Sequence, residues 1–164
     1  MTTARKAHIG RVLQIAVGRP ATIDNAGFGA LTWLTIGNWE TLPQFGIAHS
    51  DIEVPNGATG FTQSLKGAQT GTATTFAWSV GTGAADTGQA AAIAAAEAAG
   101  AASIVSLRIV ETPVAGGTPA SPNPMEAATG YLGSLVPNQG SNSSYEGFSV
   151  TFRQDAPTVR GTVV

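Results

Sequence analysis

The stretch Thr72–Val110, TATTFAWSVGTGAADTGQAAAIAAAEAAGAASIVSLRIV, decides how the chain folds. Its first nine residues alternate, with Phe76, Trp78 and Val80 on one side and Ala73, Thr75, Ala77 and Ser79 on the other. A period of two marks a half-buried strand. Gly81-Thr82-Gly83 breaks the pattern. Asp86 then stands where an N-cap belongs, with Gln89 three residues on, a variant of the capping box. Thr87 to Ala99 is almost all alanine around Ile93 and Glu97, and alanine is the best helix former. Gly100 supplies a C-terminal stop. Ser103 to Val110 alternates again, placing Val105, Leu107 and Ile109 on one face. A helix whose side chains are methyls is narrow and can lie close against a sheet.

Outward from this unit, the rest of the chain reads as the remaining strands. Upstream, Val12–Val17, Leu31–Ile36 and Ser50–Val54 are strand candidates, and Thr41–Ala48 continues the sheet past Pro43 at an edge or bulge. Downstream, Ala127–Val136 and Tyr145–Arg153 are strands, the latter with Phe148, Val150 and Phe152 inward. Arg19–Gly29 reads as a loop, as does Pro137–Ser144. Pro55–Gly71, with glycines at 57, 60, 67 and 71, reads as a long irregular loop. Thr112–Asn123, with prolines at 113, 119 and 122, reads as a protruding turn between strands. Residues 1–10 form a polar arm and residues 155–164 a tail. About seven strands and one helix give a single mainly-β (α+β) domain over 1–164. The expected architecture is an antiparallel β-sandwich or half-barrel with one flanking helix.

Composition narrows the function. Charged residues are only 11% of the chain against 43% apolar, where about 25% charged is usual. A surface so poor in charge suits one covered by neighbours, although Thr, Ser, Asn and Gln could also keep a monomer soluble. A net charge of −2 argues against binding nucleic acid through phosphates, which needs clustered Lys and Arg. Cysteine is absent, which excludes disulfides and thiolate metal sites. Val12–Val17 is too short for a signal peptide, and no apolar run has the length of a membrane span. The expectation is a protein made and kept inside a cell, or released by lysis.

Catalytic patterns are weak. His49-Ser50-Asp51 holds triad residue types, but neighbours on a strand point to opposite faces and triads are assembled from separated elements. His49 with Asp51 or Glu53 lacks a third metal ligand at a familiar spacing. Gly27-Phe28-Gly29 and Gly81-Thr82-Gly83 lack the third glycine of a dinucleotide fingerprint, having Thr32 and Asp86 there. Trp33, Trp39 and Trp78 read as core or interface anchors.

Taken in order, several segments resemble the major tail tube proteins of long, non-contractile-tailed bacteriophages. They are Gly37-Asn38-Trp39-Glu40-Thr41-Leu42-Pro43-Gln44-Phe45-Gly46, then Lys66-Gly67 ahead of Phe76-Ala77-Trp78. Asp86-Thr87-Gly88-Gln89-Ala90 follows at the helix start, and Leu107-Arg108-Ile109 within the next strand. Gly130-Tyr131-Leu132-Gly133-Ser134-Leu135 and Ser149-Val150-Thr151-Phe152-Arg153 complete the order. The resemblance spans Leu31 to Pro157, and the proline-rich Thr112–Pro124 segment departs from it.

The resemblance implies a structural, non-enzymatic protein with no cofactor or metal. Its subunits would form hexameric rings, stacked into a tube around a tape-measure protein and meeting tail-tip and tail-terminator proteins. DNA would pass through without specific binding. Assembly would take place in the host bacterial cytoplasm and the product would be the virion tail, with no membrane involved. Thr75, Ser79, Ser149 and Thr151 are then candidates to face the lumen or a neighbouring subunit. Arg5, Lys6, Phe61, Leu65, Lys66 and Val159 are candidates for ring-to-ring contact. The alternatives are another ring-forming component, such as a tail terminator or a type VI secretion tube subunit, and a β-sandwich ligand-binding domain.

Overall fold

The computed structural model describes residues 10–81, 83–142 and 145–164. The chain opens with β1 (Gly10–Val17), a short helix α1 (Asn25–Gly29), β2 (Leu34–Ile36) and β3 (Trp39–Thr41). Two long strands follow, β4 (Ile47–Asn56) and β5 (Phe61–Gly71), then β6 (Ala73–Ser79) and the helix α2 (Thr87–Glu97). The second half is β7 (Ile104–Thr112), β8 (Pro124–Asn138), β9 (Gly147–Gln154) and β10 (Val159–Thr162). The expected mainly-β architecture with a flanking helix is the one found.

One antiparallel sheet carries the fold, in the order β2-β1-β7-β8-β9-β6-β3, with β10 also paired to β8. Its two outermost strands, β2 and β3, are joined by Gly37-Asn38 alone. The sheet must therefore curl until its edges lie one tight turn apart. Asn38 takes a positive φ of 52°, a conformation asparagine tolerates in turns. A bulge between Gly133 and Val136 of β8 bends the long strand where it changes direction around the core.

The inward face of the curl is the main core. Leu13, Ile15, Phe76, Trp78, Leu107 and Phe152 are fully buried there, along with Ala92 and Ala95 of α2. Phe76 and Phe148 flank Trp78 at centroid distances of 5.6 and 6.0 Å. Side chains no larger than methyl let α2 approach closely. At Gly88 even a methyl fails, because a Cβ there would lie 2.2 Å from the Thr35 carbonyl oxygen.

Two residues of α2 hold the turn that closes the sheet. Asp86 is the N-cap expected, accepting the Gln89 N–H at 2.8 Å, and its other oxygen accepts the Gly37 N–H at 2.8 Å. Gln89 departs from the capping-box expectation. Its amide, itself buried, donates at 2.9 Å to the carbonyls of Gly37 and Ser79, which satisfies its donors where water is excluded. The helix ends at Glu97, before the glycine stop, and Gly100 at φ +63° instead starts a 3₁₀ turn.

A second, smaller core lies on the outer face of β7 and β8. Phe28, Val110, Met125, Ala127 and Val163 meet there, with Trp33 and Val159 against them. The Arg19–Gly29 loop thus contains a helix, started by Asp24, whose carboxylate accepts the Gly27 N–H at 2.7 Å. That bond and the Thr22 hydroxyl hold the Asp24 carboxyl below its usual range. The expected tail is also structured. β10 continues the line of β9 along β8, and Arg19 grips Asp155 at 2.9 and 2.5 Å between them. Buried Arg108 lies 4.4 Å above the Trp33 ring and donates to Gln14 at 2.7 Å. Burial pushes its pKa down to about 10, so it stays charged at neutral pH.

Other boundaries move as well. β1 includes Gly10, which was expected in the arm, and residues 1–9 lie outside the described residues. The third strand stops at Thr41, since buried Pro43 has no N–H to extend a ladder. The Leu31–Ile36 strand is confined to Leu34–Ile36, and β8 runs two residues into the Pro137–Ser144 loop. Val80 falls beyond β6 and is exposed. The largest correction is Pro55–Gly71, which is regular strand and turn, not a loop.

Replacing Asp86 with alanine orphans two N–H groups at once, so it should lower stability by about 1–3 kcal/mol. The urea midpoint is expected to fall with the slope unchanged; an unmoved midpoint would mean Asp86 does not secure the turn.

Candidate assembly surfaces

Among the described residues, β4 and β5 pair only with each other. They form a hairpin standing off the curled sheet. Its base is held where the Thr72 N–H donates to the Gly46 carbonyl at 3.0 Å and the Gly46 N–H to the Gln154 side chain at 3.2 Å. Gly71 marks the closest approach, since a Cβ there would lie 1.9 Å from the Gln154 carbonyl. Of the glycines that suggested an irregular loop, Gly67 and Gly71 are points of close approach, while Gly57 and Gly60 lie in the open turn between the two strands.

Register sorts the hairpin into two unlike faces. Ile52 pairs with Leu65, Val54 with Gln63 and Asn56 with Phe61 on one. Asp51 with Lys66, Glu53 with Ser64 and Pro55 with Thr62 occupy the other. The apolar side chains are uncovered: Phe61 is 76% exposed, Leu65 56%, Ile52 51% and Val54 40%. A lone two-stranded hairpin is marginally stable in water and needs a hydrophobic face packed on something else. Burying each large side chain contributes about 1.5–3 kcal/mol. This is the chain's most concentrated exposed apolar surface among the described residues, and its shape is that of a docking arm.

The expected contact residues fare unequally. Phe61, Leu65 and Lys66 stand together on the hairpin, with Phe61 and Leu65 on the apolar face and Lys66 opposite Asp51. His49 and Asp51 lie on the same hairpin, paired with Gln69 and Lys66. Val159 is half-buried against the second core. Arg5 and Lys6 lie outside the described residues.

Thr75, Ser79, Ser149 and Thr151 do share one surface. Thr75 pairs directly with Thr151, Ala77 with Ser149 and Ser79 with Gly147. All four point away from the Phe76, Trp78, Val150 and Phe152 side of β6 and β9. The patch is small and polar, and Arg153 lies in the same row, opposite Ala73. Ser79 is committed locally, its hydroxyl donating to the Glu40 carboxylate.

A further feature was not expected from the sequence. The curl leaves a seam between residues 39–45 and the ends of β1, β7 and β8, bridged by the Trp39 indole, which donates to the Arg11 carbonyl at 3.2 Å. The seam opens as a cleft of about 690 Å³, walled by Trp39, Leu42 and Phe45 on one side and Arg11, Ile109 and Glu126 on the other. A smaller pocket of about 260 Å³ adjoins it through Arg11, Ile109 and Glu126 and reaches Arg160. Arg160 is paired with Glu126 at 3.1 Å, while the buried Nε of Arg11 has no hydrogen-bond partner.

No protein-family model matches the chain, and no curated protein sequence does. Solved structures do. The chain is similar to the sheath/tube terminator, in its extended state, of an extracellular contractile injection system, with a TM-score of 0.63 at 12% identity. That likeness covers 99% of this chain and 100% of the other. It is also similar to the tube-terminating cap of the anti-feeding prophage, at TM-score 0.53 and 15% identity, over 99% and 96% of the two chains. At such identities the likeness is one of fold. It runs end to end in both cases.

Replacing Phe61 and Leu65 together with serine removes the two most exposed side chains of the apolar face without touching the curled sheet. Unfolding should shift by no more than about 0.5 kcal/mol per site, while self-association measured by sedimentation is expected to be lost. A large stability loss in the dilute protein would show that the hairpin packs on its own chain.

Proposed function

We propose that this protein is a ring-forming component that terminates or caps a tail-like tube. The observation that carries the reading is the end-to-end correspondence of its fold with a sheath/tube terminator and a tube-terminating cap. Three features of the chain support it. The hairpin exposes an apolar face that its own chain leaves uncovered. Charged residues are scarce and the net charge is −2, which suits a surface covered by neighbours and a passage that repels phosphate. The arm and the cleft are different surfaces, and copies that join through unlike patches form closed rings when the rotation closes.

The terminator reading stands ahead of the tube-subunit reading because of what the fold resembles. A tube subunit of the siphophage type needs ring faces that recruit the next identical ring without limit. A terminator needs one such face, directed at the last ring of the tube. Its partners are then other copies, six on the resemblance to tail tubes, and the tube end itself. It resides in the particle after assembly in the host.

Negative-stain microscopy of the concentrated pure protein tests this. The expected result is discrete closed rings one subunit thick. Long hollow tubes would return the protein to the tube-subunit role, and a monomer at every concentration would overturn both.

A further inference from the structure

We propose that the hairpin of one copy docks in the seam cleft of the next copy, and that this contact closes the ring laterally; the inference rests on the ring-forming reading above. The two surfaces are complementary in kind. The hairpin has one apolar face, with Ile52, Val54, Phe61 and Leu65, and one charged face, with Asp51, Glu53 and Lys66. The cleft sets Trp39, Leu42 and Phe45, with Glu40 among them, against a side that carries Arg11, Ile109 and Glu126, and Arg160 lies in the adjoining pocket paired with Glu126. A two-faced strand pair laid there sets its apolar face against Trp39, Leu42 and Phe45 and turns its carboxylates toward Arg11.

The cleft also lacks something that the hairpin carries. The Arg11 guanidinium borders both the cleft and the adjoining pocket, and its buried Nε has no acceptor within its own chain. An incoming Asp51 or Glu53 carboxylate would pair with the part of that guanidinium that faces the cleft. The occupant comes from a second copy, since no residue of β4 or β5 lines the cleft of its own chain. The hairpin base at Gly46 follows directly on the Phe45 wall, so each subunit offers an arm beside the slot it leaves open. Passing the arm onward to a neighbour fills every slot once the ring closes.

The chain has no cysteine, so single thiols can be placed cleanly. Ala58→Cys marks the exposed hairpin end and Gln44→Cys the exposed rim of the cleft. Mixed and treated with a short bismaleimide, the two variants are expected to give covalent dimers containing one copy of each, with neither variant cross-linking to itself. The double variant should give a ladder on a denaturing gel that ends at the copy number of the ring. Rings seen by microscopy without these cross-links would overturn the hairpin–cleft contact and leave the terminator reading standing. Cross-linking of Ala58→Cys to itself would overturn it in favour of hairpins packing on one another. Absence of any oligomer would overturn both.

Discussion

The two-residue connection Gly37-Asn38 constrains everything else in this molecule. It joins the first and last strands of a seven-strand path, so no flat or open version of the sheet is available to the chain. The turn is held by the side chains of Asp86 and Gln89, which take both the N–H and the carbonyl of Gly37. That in turn requires the start of α2 to lie against β2, which Gly88 and the alanines after it permit. Helix, turn and curl form one cooperative unit. A larger side chain at position 88 or a missing carboxylate at 86 would strain all three.

Closure of this kind is incomplete by construction. β3 has only three residues, and Pro43 ends it, so one part of the seam stays open beneath the Trp39 indole. Beyond that seam, the chain runs out into the hairpin and returns. The result is a well-packed body carrying an arm and a slot that it does not use itself. Few charges and the uncovered apolar face of the hairpin suit the proposed role of a part whose surface is completed by other parts.

Much of the body was legible in the sequence. β6 and β9 alternate cleanly, with Phe76, Trp78, Val150 and Phe152 on their buried side, and Asp86 is a cap that local chemistry alone identifies. β7 read as half-buried because Val105, Leu107 and Ile109 stand out. Its other face is covered too, by α1, Trp33 and the last strand, around an arginine that no periodicity flags as buried. The hairpin was misread because its strands are polar on one side and interrupted by glycine, and the cues for close approach and for a loop are the same residue. β10 is four residues long and gains its order from β8, a contact with no local signature. Phe61, Leu65 and Lys66 could be singled out from sequence, but the cleft that unites Arg11, Trp39 and Glu126 exists only once the sheet has curled.

In the proposed ring, the apolar face of the hairpin is covered only by another copy. Hydrogen exchange of the backbone amides, followed in dilute monomer and in assembled protein, measures it most directly. Amides of β4 and β5 should exchange freely in the monomer and become protected on assembly, while those of β1, β7 and β9 are protected in both. Hairpin amides already protected in the isolated subunit, or still unprotected in the assembly, would contradict the account.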